Sequence, residues 1–329
     1  MRAWQCIEPT GVAGLRWVEL PTPEPAPGEA RIAIRAASLN FPDLLVVQGK
    51  YQIKPTPPFV PGAEFAGVVE AVGDGATGVQ VGQAVMSVGV TGGFASQVCV
   101  GTPRLVPMPP GMPFEHAAAF LMTYGTSHHA LVDRAALQPR ETVLVLGAAG
   151  GVGTAAVQIA KAVGARVIAA ASTDEKAAFC RAIGADEAVN YSLPGFRDAL
   201  KALTDGRGPD VIYDPVGGSL AEAAFRSIAW RGRYLVVGFA QGEIPNLPLN
   251  LPLLKGASLV GVFWGDFVRR EPQAFARSLG ELGAWYAAGR VKPVLDRTLP
   301  MSELAAAFSR MATREALGKI VLVNRHARA

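Results

Sequence analysis

The sequence predicts an α/β protein in which a doubly wound parallel sheet accompanies a mostly-β domain. Three observations predict it. From residue 143 to about 263, short apolar stretches alternate with helical ones, the pattern of a parallel sheet covered on both faces. The first of them, Val143-Leu144-Val145-Leu146, stops at Gly147-Ala148-Ala149-Gly150-Gly151-Val152-Gly153 and runs on into a helical stretch, the first half of a βαβ unit. Residues 1 to about 120 instead alternate apolar with polar or small residues between glycines and prolines, which reads as all-β.

Taken in order, residues 28–37 alternate with the period of a half-buried strand, and 65–73 and 81–88 follow with glycines between them. Prolines crowd 21–27 and 55–61, marking rigid loops. The composition changes at Pro113-Phe114-Glu115-His116, and the pattern to about 140 is helical. Strand 143–146, helix 151–163, strand 166–170, helix 174–183 and strand 188–191 come next, then strands 211–214, 234–238 and 258–263. Two more helical stretches follow from about 270. A last strand, 318–323, is expected to return to the first domain, because the α/β unit is already complete at 263.

The chain has 329 residues, 50% hydrophobic and 18% charged, enough for two domains with a large core and unlike a disordered chain. The formal net charge of +4 comes from scattered lysines and arginines, with no basic stripe or aromatic platform, so nucleic acid is not an expected partner. No apolar stretch approaches the roughly 18 to 20 residues of a membrane span, and no apolar run follows the charge of the N-terminal segment, so a cytoplasmic protein is expected. Cys6, Cys99 and Cys180 are far apart with no CxxC pair, which fits reduced thiols. His116, His128, His129 and His326 show no ligand spacing and read as helix or surface histidines.

The glycine turn carries the first piece of chemistry. A helix N-terminus offers unpaired N–H groups and the positive end of a dipole, which suits a phosphate. Gly150 lets the chain approach a pyrophosphate, and Gly153 lets the helix lie close to the sheet. The residues expected at the pyrophosphate are therefore Ala149, Gly150, Gly151 and Val152. Ala148 stands where the first glycine of a strict G-x-G-x-x-G would stand. NAD-binding units place an acid about 20 residues further on. Here the second strand ends Ala169-Ala170-Ala171-Ser172-Thr173, and Asp174 and Glu175 open the next helix, where capping explains them. NAD stays open on that ground, but Ser172 with Lys176 favours a 2′-phosphate and hence NADP.

Over nearly its whole length the chain resembles the zinc-independent quinone oxidoreductases, the ζ-crystallin-like group of the medium-chain dehydrogenase/reductase superfamily. The matching pieces are Ser38-Leu39-Asn40-Phe41-Pro42-Asp43, Gly49-Lys50-Tyr51, Pro61 to Val69, Gly147 to Gly153, Gly184-Ala185-Asp186, Tyr213 to Gly218 and Gly318 to Leu322. The resemblance implies a GroES-like domain, 1–121 with 270–329, and a Rossmann domain, 122–269. It implies NADPH as hydride donor and a quinone or other α,β-unsaturated carbonyl as acceptor. Zinc alcohol dehydrogenases of the superfamily carry Cys where Asn40 stands and His where Ala63 stands, and these two cannot replace zinc ligands, so no metal is expected. Tyr51 resembles the tyrosine set over nicotinamide and substrate. Asn40, at the vacant zinc position, is expected to hydrogen-bond a substrate oxygen or the nicotinamide ribose.

Thr126 matches a residue at the nicotinamide end, and Tyr191 one near the adenosine phosphate. Gly238, Phe239, Val262 and Phe263 are expected to line the nicotinamide crevice, since ligands bind outside the carboxyl ends of such strands. The resemblance also implies a homodimer through edge strands of the Rossmann domain, with 259–263 as that strand. Two alternatives remain. One is an enoyl- or acryloyl-CoA-type reductase, with Arg269-Arg270 contributing a basic patch. The other is a non-catalytic NADPH-binding protein, structural or RNA-binding.

Overall fold

The structure, a computed structural model, describes residues 1–324; His326 lies outside them. Its strands in chain order are β1 (Arg2–Cys6), β2 (Leu15–Glu19), β3 (Glu29–Ser38), β4 (Glu64–Val72), β5 (Ala84–Val88), β6 (Gln97–Gly101), β7 (Leu105–Pro107), β8 (Thr142–Leu146), β9 (Arg166–Ala171), β10 (Glu187–Asn190), β11 (Val211–Asp214), β12 (Arg233–Val236), β13 (Ser258–Gly261), β14 (Leu295–Pro300) and β15 (Lys319–Val323). The chain divides into two compact units, Met1–Met122 with the residues from Leu295 onward, and Thr123–Val294.

The first unit is built on a seven-stranded sheet ordered β14-β15-β3-β4-β5-β7, with β6 paired to β3. Its core gathers Ile32, Ile34, Phe65, Phe94, Phe308 and Ile320. Phe94 meets Phe308 edge to face at 6.1 Å. The last strand does return here: β15 pairs antiparallel with β3, Val321 opposite Ser38 and Val323 opposite Ala36. The region is not all-β as the sequence reads, because Phe41–Val47 is a helix. Pro42 in the first turn suits a helix start, and the Asp43 carboxylate accepts the Asn40 N–H at 2.8 Å, a reach-back of the capping-box kind.

The second unit is a parallel six-stranded sheet ordered β10-β9-β8-β11-β12-β13. Counted within the unit this is 3-2-1-4-5-6, the doubly wound order. All five residues of β8 are buried, as in a central parallel strand covered on both faces. Leu144, Leu146, Ile168, Ile212 and Phe225 form the core on one side. The helix after the glycine turn spans Gly151–Val163, as read, and ends at Gly164 in the left-handed conformation, a common C-terminal stop.

The domain boundary differs from the sequence reading. Residues 270–294, assigned there to the first domain, group with the second unit. The cause is the helix Pro272–Ala287: Ser278 and Glu281 hold the two ring nitrogens of His128, at 3.0 and 2.9 Å. Three strands are also shorter than read, and β5 begins only at Ala84. The β12 ladder stops at Val236 and β13 stops at Gly261, although the Val262 N–H still reaches the Val236 carbonyl at 3.0 Å.

Candidate functional site

In the second unit, β8 and β11 are adjacent at the point where the strand order reverses. The loops leaving them meet there. Gly147 has φ +59°, and a Cβ on it would lie 2.8 Å from Val216 of the β11 loop. Glycine is thus required at the first position of the turn by conformation and by space. A Cβ on Gly153 would lie 2.3 Å from the Gly147 carbonyl oxygen, so glycine is what lets the helix approach the turn. Gly150 is different. Its φ is −83°, and a Cβ there would meet only the Gly147 oxygen, at 3.4 Å. Neither backbone nor packing demands glycine at Gly150, and the room above it is what a pyrophosphate needs.

Ala149 is buried, Gly150, Gly151 and Val152 are half-buried, and the first-turn N–H groups lack intrahelical acceptors by geometry. The helix Leu121–His128 leads to this turn: Ser127 donates to the Val152 carbonyl at 3.0 Å and shares a hydrogen bond of 2.9 Å with the Tyr213 hydroxyl. That places Thr126, half-buried, next to the residue that fixes Val152. The β11 loop is held by Asp214, whose Oδ1 accepts the N–H groups of Val216 and Gly217 at 2.7 and 2.9 Å and whose other oxygen takes the Tyr234 hydroxyl. Burial pushes the Asp214 carboxyl above its ordinary value against these hydrogen bonds. Phe239 lies over the same loop; a Cβ on Gly217 would be 2.8 Å from its ring. Gly238 is joined to the loop through the Asp214 carbonyl at 3.3 Å.

At the tip of β9, Lys176 Nζ reaches Ser172 Oγ at 3.4 Å. The end of β10 closes on the same tip. The Tyr191 N–H donates to the Ala171 carbonyl at 2.9 Å, and the Ser192 hydroxyl to the Ser172 carbonyl at 2.9 Å. Asn190 donates to Asp174 at 3.0 Å and accepts the Ser192 N–H at 3.0 Å. Ser172, Lys176 and Tyr191 are therefore brought together, with Ser192 and Asn190 as neighbours that sequence reasoning did not single out.

Val262 is buried, whereas Phe263 is 61% exposed, beyond the end of β13 and at the start of the helix Trp264–Arg270. Arg269 and Arg270 both bind the Asp266 carboxylate, at 2.8 Å each.

In the first unit, Asn40 sits in a buried polar network. Its Nδ2 donates to Glu64 at 3.0 Å, and its Oδ1 accepts from Lys319 Nζ at 2.6 Å. Lys319 also donates to the Leu39 carbonyl at 2.7 Å, and its Nζ lies 3.6 Å from Glu64. Ser38 Oγ and the Met122 N–H complete the Glu64 carboxylate, each at 2.9 Å. Glu64 is 0% exposed and Lys319 4%. Burial lowers the Lys319 pKa, and the charges of Glu64 and Asp43 oppose that. Burial pushes Asp43 up to about 7, against hydrogen bonds from the Asn40 and Ala63 N–H groups and the Lys319 charge.

This network tests the metal question on the residues present. Where zinc relatives carry a thiolate and an imidazole, this chain has Asn40 and Ala63, and the Asn40 oxygen is already bonded to an ammonium. Among the described residues no three of His, Cys, Asp and Glu are grouped to hold a metal ion. The residues do not fit zinc. Tyr51 is half-buried, and burial, and then the Asp43 charge, raise its pKa further above the ordinary value, at which the hydroxyl is already a donor at neutral pH. Lys319 and Glu64 went unassigned in the sequence. The signal for them was a charged residue opening each of two apolar strands, Lys319-Ile320-Val321-Leu322 and Glu64-Phe65-Ala66-Gly67-Val68.

With this geometry in place, the likeness to known proteins is specific. Residues 26–110 match the family model of the alcohol dehydrogenase GroES-like domain, and residues 151–280 match that of zinc-binding dehydrogenase. The chain is 38% identical to the quinone oxidoreductase-like protein 2 homolog of Nematostella vectensis over 297 residues, covering 89% of this chain and 81% of that one. A probable oxidoreductase from Mycobacterium abscessus superposes with a TM-score of 0.90 at 37% identity, over 98% of this chain and 99% of that one. The quinone oxidoreductase of Thermus thermophilus, solved also as its complex with NADPH, gives a TM-score of 0.86 at 35% identity, over 98% and 100%. Among the described residues no helix is long and apolar enough to cross a membrane.

The buried network makes a stability prediction. Lys319→Met leaves Glu64 buried without its cation and is expected to cost about 3–5 kcal/mol, read as a lowered denaturant midpoint. Adding Glu64→Gln is expected to return most of the loss. A single variant as stable as the parent, or a double variant no better than the single, contradicts this account.

Proposed function

Because the chain belongs to the zinc-independent, quinone-oxidoreductase-like group of the medium-chain dehydrogenase/reductase superfamily, we propose that it uses NADPH to reduce quinones or other α,β-unsaturated carbonyl compounds. The observation that carries the choice of acceptor is the Lys319–Asn40–Glu64 network. The resemblance sets Asn40 and Ala63 where zinc relatives carry metal ligands, and neither residue supplies a ligand for a metal that would polarise a simple ketone. A conjugated acceptor is already electrophilic and needs only a hydrogen-bond donor at its oxygen.

The chain's own residues divide the work. Ala149 to Val152 are the residues for the pyrophosphate, and Ser172, Lys176 and Tyr191 those for the adenosine 2′-phosphate. Thr126, Gly238, Phe239 and Val262 serve the nicotinamide end. Phe263 has a weaker claim, because it stands exposed outside the strand. NADPH, when bound, supplies the hydride. Tyr51 donates to the acceptor's oxygen. Asn40 has one amide proton left after Glu64 and Lys319 are satisfied, enough for a single hydrogen bond to substrate or ribose.

Assembly belongs to the same reading. β13 is the outer strand of its sheet, and Leu259 on it is 43% exposed, with the apolar Leu253 and Leu254 exposed just before it. An uncovered apolar edge favours pairing with a second copy. The homodimer is therefore proposed to form through β13.

Three outcomes are expected. NADPH binds more tightly than NADH, and Lys176→Ala weakens NADPH while sparing NADH, by fluorescence titration; equal losses would reduce Lys176 to a surface lysine. NADPH oxidation is fastest with quinones and enones in a panel that includes acryloyl-CoA, and Tyr51→Phe lowers kcat/KM about tenfold, the loss of one hydrogen bond. A rate far higher with the CoA ester would put the reductase alternative first. No oxidation of NADPH by any acceptor, with RNA binding that survives roughly 150 mM salt, would support the non-catalytic reading. Light scattering gives about twice the chain mass, and Leu259→Lys halves it; a monomeric parent removes the dimer.

A further inference from the structure

The tip of β9 carries a contradiction for a 2′-phosphate site. Ser172 and Lys176 suit an anion, yet Asp174 and Glu175 stand between them in the sequence and add two negative charges at the same helix start. A carboxylate there repels a phosphate and, if its side chain turns inward, takes the first-turn N–H groups that would otherwise face an anion. The end of β10 deals with one of the two. Asn190 uses both ends of its amide: Nδ2 donates to Asp174 Oδ1 at 3.0 Å, while Oδ1 accepts the Ser192 N–H at 3.0 Å. Ser192 in turn donates to the Ser172 carbonyl at 2.9 Å. The strand end thus tethers the acid and braces Ser172 together.

We propose that Asn190 is a specificity-determining positioning residue, which sets the preference for a 2′-phosphorylated dinucleotide by restraining the Asp174 carboxylate. The proposal rests on the reading that Ser172 and Lys176 take the phosphate. Asn190 itself acts through Asp174, and the acid it restrains is what separates the two cofactors: repulsion acts on a phosphate and not on a ribose hydroxyl, which an Asp accepts as a donor. Releasing the acid therefore penalises NADPH and leaves NADH unharmed.

The test is a titration of NADPH and NADH, separately, against the full chain and three variants. Asn190→Ala is expected to weaken NADPH about fivefold, the scale of one hydrogen bond, with NADH within about twofold of the parent. Asp174→Asn is expected to tighten NADPH relative to NADH by a similar factor. In the Asp174→Asn background, Asn190→Ala is expected to leave the NADPH-to-NADH ratio where it was, since no charge remains to restrain. Equal weakening of both cofactors by Asn190→Ala overturns the proposal, because Asn190 then only supports the turn. The same ratio shift in both backgrounds overturns it too. Should Asn190→Ala fold poorly, an unchanged ratio in Asp174→Asn alone is sufficient to overturn it. If the parent binds both cofactors equally and Lys176→Ala is silent, the Ser172–Lys176 reading fails instead; a clear parental preference with an unmoved Asn190→Ala ratio fails the proposal alone.

Discussion

An ammonium group buried at the start of β15 imposes the strictest demand in the first unit. Removing a lysine from water is costly unless its charge and its three donors are met. Lys319 meets them with the Leu39 carbonyl, the Asn40 amide oxygen and the nearby Glu64 carboxylate. They come from two stretches: the adjacent Leu39 and Asn40, between β3 and the helix Phe41–Val47, and the first residue of β4. The strand that supplies the lysine is almost the last element of the chain, so the late return of β15 to β3 is what completes the surroundings of Asn40. Glu64 extends the same network to Met122, the residue before the second unit begins.

The second unit answers a different problem. Parallel strands bury both faces, so only their ends can present chemistry, and the reversal of strand order between β8 and β11 leaves the two loops side by side. Gly147 and Gly153 are there because the backbone needs them, one for its positive φ and both for close approach. Gly150 is there for neither reason. The distinction separates the glycines that build the turn from the one that leaves space above it. Asp214 plays the matching role on the β11 side, committing both carboxylate oxygens to its own loop and to Tyr234.

Much of this was legible in the sequence because it is local. The run Val143–Leu146, the turn and the helix Gly151–Val163 are encoded within twenty-odd neighbouring residues, and the pattern reads correctly. The helix Phe41–Val47 was missed because its start, an asparagine with a proline two residues on, looks like a turn until Asp43 is seen to close the cap. The boundary at 270 was misplaced because the helix Pro272–Ala287 belongs wherever its polar face finds partners, and His128 lies 150 residues away in sequence from the serine that holds it. The Lys319–Asn40 bond spans 279 residues, and no spacing rule reaches so far. Asn40 itself was found through a family likeness, but its bonding was not, and that bonding narrows what it offers a ligand.

That narrowing bears on the chemistry. An amide with both ends free would be a versatile partner, able to accept from a ribose hydroxyl or donate to a carbonyl. Asn40 has its oxygen on Lys319 and one N–H on Glu64, which leaves one N–H and one lone pair of the oxygen uncommitted by these two bonds. Tyr51 carries a phenolic hydroxyl, a donor at neutral pH as well. In the proposed reaction such donors would suit an oxygen that gains negative charge, which is where charge develops when hydride adds to a conjugated carbonyl. The Lys319 ammonium on the Asn40 amide oxygen polarises the amide and makes its remaining N–H a better donor.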